Sequence, residues 1–209
     1  MNGKVSGGRP VAWEDAGRQI APLLGSYSAV VVTSGDPVAA AHVTLGLARA
    51  EAARRRVVVA DLVGDLGPLS ALLADDDVHG ISDTILYGAS INKVARPVEG
   101  AENLFVVPAG TEQVVSEEIF SSERWPRLAA GFAGSGALLL LVARSDSPGL
   151  GSLIDQVDGA VVVRDADIPA APAALVLARV PSPTRTLKVP FLRDVEIAPL
   201  RSIRHPMVP

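Results

Sequence analysis

Six short apolar runs punctuate the chain: Ala29 to Thr33, Arg56 to Asp61, Asn103 to Val107, Ala137 to Val142, Gly159 to Val163 and Ala174 to Val180. They are continuous rather than alternating, which is the pattern of strands buried on both faces of a parallel sheet. Helix-like or loop-like stretches separate them. Alternation of this kind predicts an α/β fold, a three-layer sandwich with a mostly parallel central sheet. Before the first strand, Val11, Ala16, Ile20, Leu23 and Leu24 fall at mostly three- and four-residue spacings. That predicts an amphipathic helix from Val11 to Leu24 packed outside the sheet and stopped at Gly25.

The polar, glycine-rich residues 1–10 lack the apolar stretch of a secretory signal, which places the chain in the cytoplasm as an expectation. Residues 11–180 read as one domain. Beyond Val180 the character changes: Pro181, Pro183, Pro190, Pro199, Pro206 and Pro209 crowd a segment that also carries Arg185, Lys188, Arg193, Arg201 and Arg204. A regular helix is excluded there. Within the tail, 181–209, Leu187 to Leu192 suits an edge strand; the tail reads equally as a docking arm or as a wrap on its own domain.

Composition narrows the function classes. The 209 residues include no cysteine and only three isolated histidines, His42, His79 and His205, so no thiolate or paired-histidine metal site is expected. A net charge of -4 argues against a nucleic-acid binder. The longest apolar run, Ala137 to Ala143, is about a third of the ~20 residues a membrane span requires. Asp75, Asp76 and Asp77 read first as a solvated loop or helix end, and only secondarily as a cation site.

The first strand leads through Ser34, Gly35, Asp36 and Pro37 into an apolar helix, the setting of a phosphate-binding loop. Such a loop follows Gly-x-x-x-x-Gly-Lys-Ser/Thr, whose lysine neutralises phosphate and whose hydroxyl holds Mg²⁺. Aligned without a gap from Gly35, those positions fall on Ala40, Ala41 and His42, and Thr44 lies two residues too far on. Asp36 before Pro37 reads as an N-cap with proline at the first helical position, or else as a remodelled binding loop. A carboxylate there repels phosphate by on the order of 4 kcal/mol per charge pair at ~4 Å and an effective dielectric near 20. His42 reads as a packing or solvent-facing residue before a phosphate ligand. Asp61, ending the second strand, is either a Mg²⁺-side carboxylate or the cap of the turn before Gly64.

Five pieces then resemble one family in order. They are Val57 to Leu69, with Asp61 and Val63 standing in an Asp-x-Asp motif; Gly80-Ile-Ser-Asp-Thr-Ile-Leu; Asn103-Leu-Phe-Val-Val-Pro-Ala-Gly; Glu118-Ile-Phe-Ser-Ser-Glu-Arg; and Asp158-Gly-Ala-Val-Val-Val-Arg164. Over residues 11 to 163 the chain is similar to the cytoplasmic domain of bacterial capsule and exopolysaccharide tyrosine kinases, within the MinD/ParA class of P-loop ATPases. The resemblance implies that fold, an ancestral ATP site, and Asp61 as the carboxylate carried over.

Departures fall on the chemistry. Val63 replaces the second carboxylate of Asp-x-Asp, and Leu138 to Ala143 runs into Arg144 and Ser145 where the family writes Asp-Thr-Pro-Pro, with Asp146 a few residues beyond. The family's tyrosine-rich tail is missing, the only tyrosines being Tyr27 and Tyr87. Of its Glu-x-x-Arg-x-x-Arg oligomerisation motif, Asp15 and Arg18 keep the first spacing and Ala21 replaces the last arginine.

Phosphoryl transfer rests on positioning and electrostatics, and these losses remove both. The expectation is therefore a pseudo-ATPase with no catalytic residue, metal or cofactor. It would act as an interaction protein whose partner is an active family ATPase or the cytoplasmic part of a membrane assembly in a polysaccharide, secretion or positioning system, as a homo- or hetero-oligomer, peripheral to the inner membrane through that partner. A second reading keeps a nucleotide or other anionic ligand on Ser34, Gly35 and Asp61, with the lysine supplied by a partner subunit. A third attaches the basic tail to a membrane surface.

Overall fold

The computed structural model describes residues 10–74, 78–164 and 176–182. The acidic triplet Asp75 to Asp77, the expected edge strand Leu187 to Leu192, His205 and nearly all of the tail lie outside them. Seven strands form one sheet in the order β3-β4-β2-β5-β1-β6-β7: β1 (Ala29–Ser34), β2 (Val57–Asp61), β3 (Arg96–Val98), β4 (Ala101–Val107), β5 (Leu138–Arg144), β6 (Ala160–Val163) and β7 (Val176–Val180). All neighbours are parallel except β3, which runs antiparallel to β4.

Every residue of β1, β2 and β6 is buried. Their side chains feed two apolar layers, one on each face of the sheet. One layer joins Val30, Val32, Val57 and Val59 to helix α2 (Pro37–Ala52); the other joins Val31, Val58 and Leu139 to Ile81, Phe120 and Trp125. This is the expected three-layer α/β sandwich. The edge strand β3 is an addition to the expected set, because Arg96-Pro97-Val98 is too short and too polar to register as an apolar run.

The N-terminal helix is shorter than expected and its inward face is wider. Helix α1 spans Pro10–Ile20, and a 3-10 turn covers Ala21–Leu24. Ala16, Ile20 and Leu24 pack on the core as expected, Val11 and Leu23 are exposed, and Trp13 and Ala21 join the buried side. The reason is a glycine crossing. A Cβ on Gly17 would lie 2.1 Å from the Val43 carbonyl oxygen, and one on Gly46 would lie 2.0 Å from that of Glu14. Close approach of the backbones fixes which side of α1 meets α2, and no hydropathy count registers it.

Candidate functional site

Ligands of open α/β sheets gather at the carboxyl ends of the strands, where this chain brings together the ends of β1, β2, β5 and β6. Only Gly35 and Asp36 separate β1 from α2. A phosphate-binding loop places four residues between its glycines, so the connection is shortened as well as substituted. Ala40, Ala41 and His42, the positions that the ungapped alignment matches to the second glycine, the lysine and the hydroxyl residue, lie inside α2. Ala40 and Ala41 are fully buried. His42 faces α1, its Nδ1 3.5 Å from Glu14 Oε1, and Thr44 Oγ1 donates to the Ala40 carbonyl at 2.8 Å.

Asp36 holds the start of α2. Its Oδ1 accepts from Ala39 N–H at 3.2 Å, with Pro37 at the first helical position, while its own N–H donates to Ser34 Oγ at 3.0 Å. Its second oxygen, Oδ2, is 3.0 Å from Arg164 Nη1. The helix terminus, which in a P-loop faces the phosphates, is thus met by the chain's own carboxylate, itself paired with a cation. Arg164 ends β6 in the left-handed region, φ 65°, and its N–H donates to the Val180 carbonyl at 2.7 Å. No local pattern signals this partnership across 128 positions.

Asp61 is turned inward on its own loop. Oδ1 accepts from Val63 and Gly64 N–H at 2.7 and 2.9 Å, and Oδ2 from Leu66 N–H at 2.9 Å. It is 3% exposed. At the end of β5, Arg144 makes a two-pronged pair with Asp146, 2.8 Å on each arm; that hydrogen bond holds the Asp146 carboxyl below its usual range. Ser145 N–H is bonded to the Ser34 carbonyl at 3.0 Å. The donor set does not fit magnesium-bound nucleotide: one carboxylate caps a helix, one caps a turn, one binds arginine, the Ser34 hydroxyl accepts from the cap's own N–H, and among the described residues no lysine stands at the start of α2. Among the described residues no cluster of metal-ligating side chains forms.

The family-like pieces are joined by structure that the sequence did not reveal. Ile81 N–H and Ser82 N–H donate to the carbonyls of Pro108 and Ala109, both at 2.9 Å. Asp83 Oδ2 accepts from Gly80 N–H at 2.7 Å and Thr111 N–H at 3.2 Å, and Thr111 Oγ1 donates to Asp83 Oδ1 at 2.6 Å. A Cβ on Gly80 would meet the Pro108 oxygen at 2.1 Å. The Gly-Ile-Ser-Asp and Pro-Ala-Gly segments therefore form one clasp. Asp158 does similar work at the opposite end of the sheet, where β1 begins, accepting from Ser28 and Ala29 N–H at 2.6 and 3.0 Å, and Asn103 Nδ2 donates to the Ala52 carbonyl at 3.0 Å at the end of α2.

Burial is the largest single influence on Asp83 and pushes its pKa up, but the bonds from Thr111 and Gly80 and the nearby His79 together bring the carboxyl below its ordinary value. The unfolded chain therefore takes up this proton at a higher pH than the folded one. The stabilisation is complete above the ordinary carboxylate range, about 3.9, and is lost as pH falls through the lower folded value. Melting temperatures followed downward from neutrality should fall less steeply in acid for Asp83→Asn than for the wild type. Parallel curves would show that Asp83 is not the group responsible.

A seven-stranded, mostly parallel sheet with apolar layers on both faces defines an α/β three-layer domain. No family model matches the chain, and no curated protein matches it in sequence. Among solved structures the chain is similar to the VpsO kinase domain, with TM-score 0.62, 18% identity, and coverage of 76% of this chain and 81% of that one. It is also similar to the chimerical protein CapA2B2, at TM-score 0.56 and 14% identity over 81% and 82% of the two chains. For the kinase domain of Escherichia coli tyrosine kinase ETK the values are 0.56 and 16%, covering 71% of this chain and 62% of that one. The shared property is the fold of bacterial tyrosine kinase domains.

Proposed function

We propose that the chain is a non-catalytic pseudo-ATPase, a scaffold that keeps a kinase-like fold to engage other proteins. The Asp36 carboxylate at the start of α2 carries this reading, since it sits where a triphosphate would need positive charge. The turn-bound Asp61 and the Arg144–Asp146 pair add to it. Ala21, at the position of the family's last oligomerisation arginine, is 2% exposed, which weighs against ring assembly through that motif. The partner class is a protein, either an active ATPase of this fold or the cytoplasmic part of a membrane assembly in a polysaccharide, secretion or positioning system. The location is cytoplasmic, at the inner membrane only through that partner. Among the described residues no helix is long and apolar enough to cross a membrane.

Calorimetric titration with MgATP and MgADP tests this reading. No heat of binding and no change in melting temperature are expected. A nucleotide at a hundred times its dissociation constant would add ~2.7 kcal/mol of stability, and such a shift would overturn the proposal.

One observation favours a second reading, in which an anionic ligand still binds at Ser34, Gly35 and Asp61 with a lysine from a partner subunit. Arg164 places a cation beside α2 that could serve an anion if Asp36 released it. Asp36→Ala separates the two readings. Loss of the cap should cost about 1 kcal/mol, the half-exposed ion pair adding little. On the first reading the variant still ignores MgATP and pyrophosphate; on the second it gains affinity for them.

A further inference from the structure

A cleft of about 750 Å³ opens between residues 84–92 and helix α3 (Arg124–Ser135). It lies at the opposite end of the sheet from the vestigial site, since Arg56 and Ala137, which line it, immediately precede β2 and β5. Arg56 and Asp61 are five positions apart, about 16 Å at a strand rise of ~3.3 Å per residue. The volume is that of a small-molecule site. Its walls are apolar, with Ile85, Leu128 and Phe132, and its charged groups are Arg56, Arg124 and Arg127; among the described residues no acidic one lines it.

These cations contrast with a chain whose net charge is -4. Two of them are held in place without neutralisation. Arg124 Nη1 donates to the Ile85 carbonyl at 2.9 Å and reaches that of Thr84 at 3.5 Å. Its guanidinium packs on Gly88, where φ is 76° and an added Cβ would come within 3.5 Å of Nη1. Arg56 lies 4.2 Å from the centroid of the Phe105 ring, a cation–π contact that restrains the side chain while leaving its charge uncompensated. Among the described residues neither arginine, nor Arg127, makes an ion pair.

We propose that this cleft binds a phosphate monoester with an apolar body, the phosphate on the arginines and the body against Ile85, Leu128 and Phe132. Three guanidinium groups without an acid favour a dianionic head over a single carboxylate, and arginine forks suit phosphate oxygens. The chain's own tail is a poor occupant. Residues 183–209 carry Arg185, Lys188, Arg193, Arg201 and Arg204 against only Asp194 and Glu196, so like charge would oppose docking. The inference is independent of the fate of the ATP site.

Titration calorimetry with n-octyl phosphate, below its micelle concentration, is the test. Binding is expected, weaker by about tenfold or more for octanoate and for inorganic phosphate, each of which lacks one half of the recognised chemistry. Arg127→Gln, at an exposed position where folding is unaffected, should weaken octyl phosphate by about tenfold, and Arg124→Gln should do so at least as strongly. Arg179→Gln, an equal charge change on β7, should leave affinity unchanged. No binding, equal affinity for octyl phosphate and neutral octyl glucoside, or an unaltered Arg127→Gln variant would each overturn the proposal. MgATP binding unaffected by Arg127→Gln would instead contradict the pseudo-ATPase reading and leave the cleft untouched.

Discussion

Glu51→Ala is expected to lower stability by about 3–5 kcal/mol, the cost of stripping one partner from a buried ion pair. Glu51 is 1% exposed near the end of α2; its Oε2 is 2.8 Å from Arg55 Nε, and its Oε1 pairs with Arg54. Arg55 also donates to the Tyr27 and Leu24 carbonyls, each at 2.8 Å. One carboxylate thereby orients the arginine that pins the segment leading into β1. Arg54 is largely exposed, so its share is small. Without Glu51, the nearly buried Arg55 guanidinium keeps its charge and loses its counterion. At roughly 2–4 °C per kcal/mol for a chain of this size, a melting temperature about 10 °C lower is expected. The double variant with Arg55→Ala should lose less than the sum of the single ones; strict additivity would show that the pair does not act as a unit.

Gly46→Val is expected to part α1 from α2. The new Cβ would sit 2.0 Å from the Glu14 carbonyl oxygen and 2.8 Å from its Cα, and backbone cannot rotate out of the way as a side chain can. Overpacking alone costs typically about 1–3 kcal/mol, and a clash on main chain belongs at or above the upper end. Trp13 on α1 is 4% exposed, while Trp125, the only other tryptophan, is fully buried in the opposite layer. In a Trp125→Phe background the Trp13 emission should shift to longer wavelength on Gly46→Val. Gly46→Ala should give a smaller shift of the same sign. An unshifted emission maximum would mean that the two helices do not meet at these glycines.

Sequence made the sheet legible because strands buried on both faces must be apolar along their length, and β1, β2, β5 and β6 are so up to their carboxyl ends, where Thr33, Ser34, Asp61 and Arg144 stand. The cap at Asp36 was legible for a local reason: Asp followed by Pro is sufficient to start a helix. What escaped depended on distance along the chain. Arg164 meets Asp36, Thr111 meets Asp83, and Arg55 reaches back to Leu24, pairings that no local pattern encodes. The same cap implies the short β1–α2 connection, which an ungapped comparison, counting only substitutions, leaves out. The close crossing of α1 and α2 was hidden because Gly17 and Gly46, which permit it, carry no hydrophobic side chain to count.

The position of β1 has a consequence for synthesis. Its in-sheet partners are β5 and β6, and Ala29 stands opposite Leu139, about 110 residues later. Until the ribosome has delivered β5, a strand that opens on Ala29-Val30-Val31-Val32 has no hydrogen-bonding neighbour on either side. Contacts so far apart slow folding and leave an adhesive edge in the nascent chain. Fragments ending before residue 138 should therefore aggregate, and the demand for chaperones should fall once β5 and β6 have emerged.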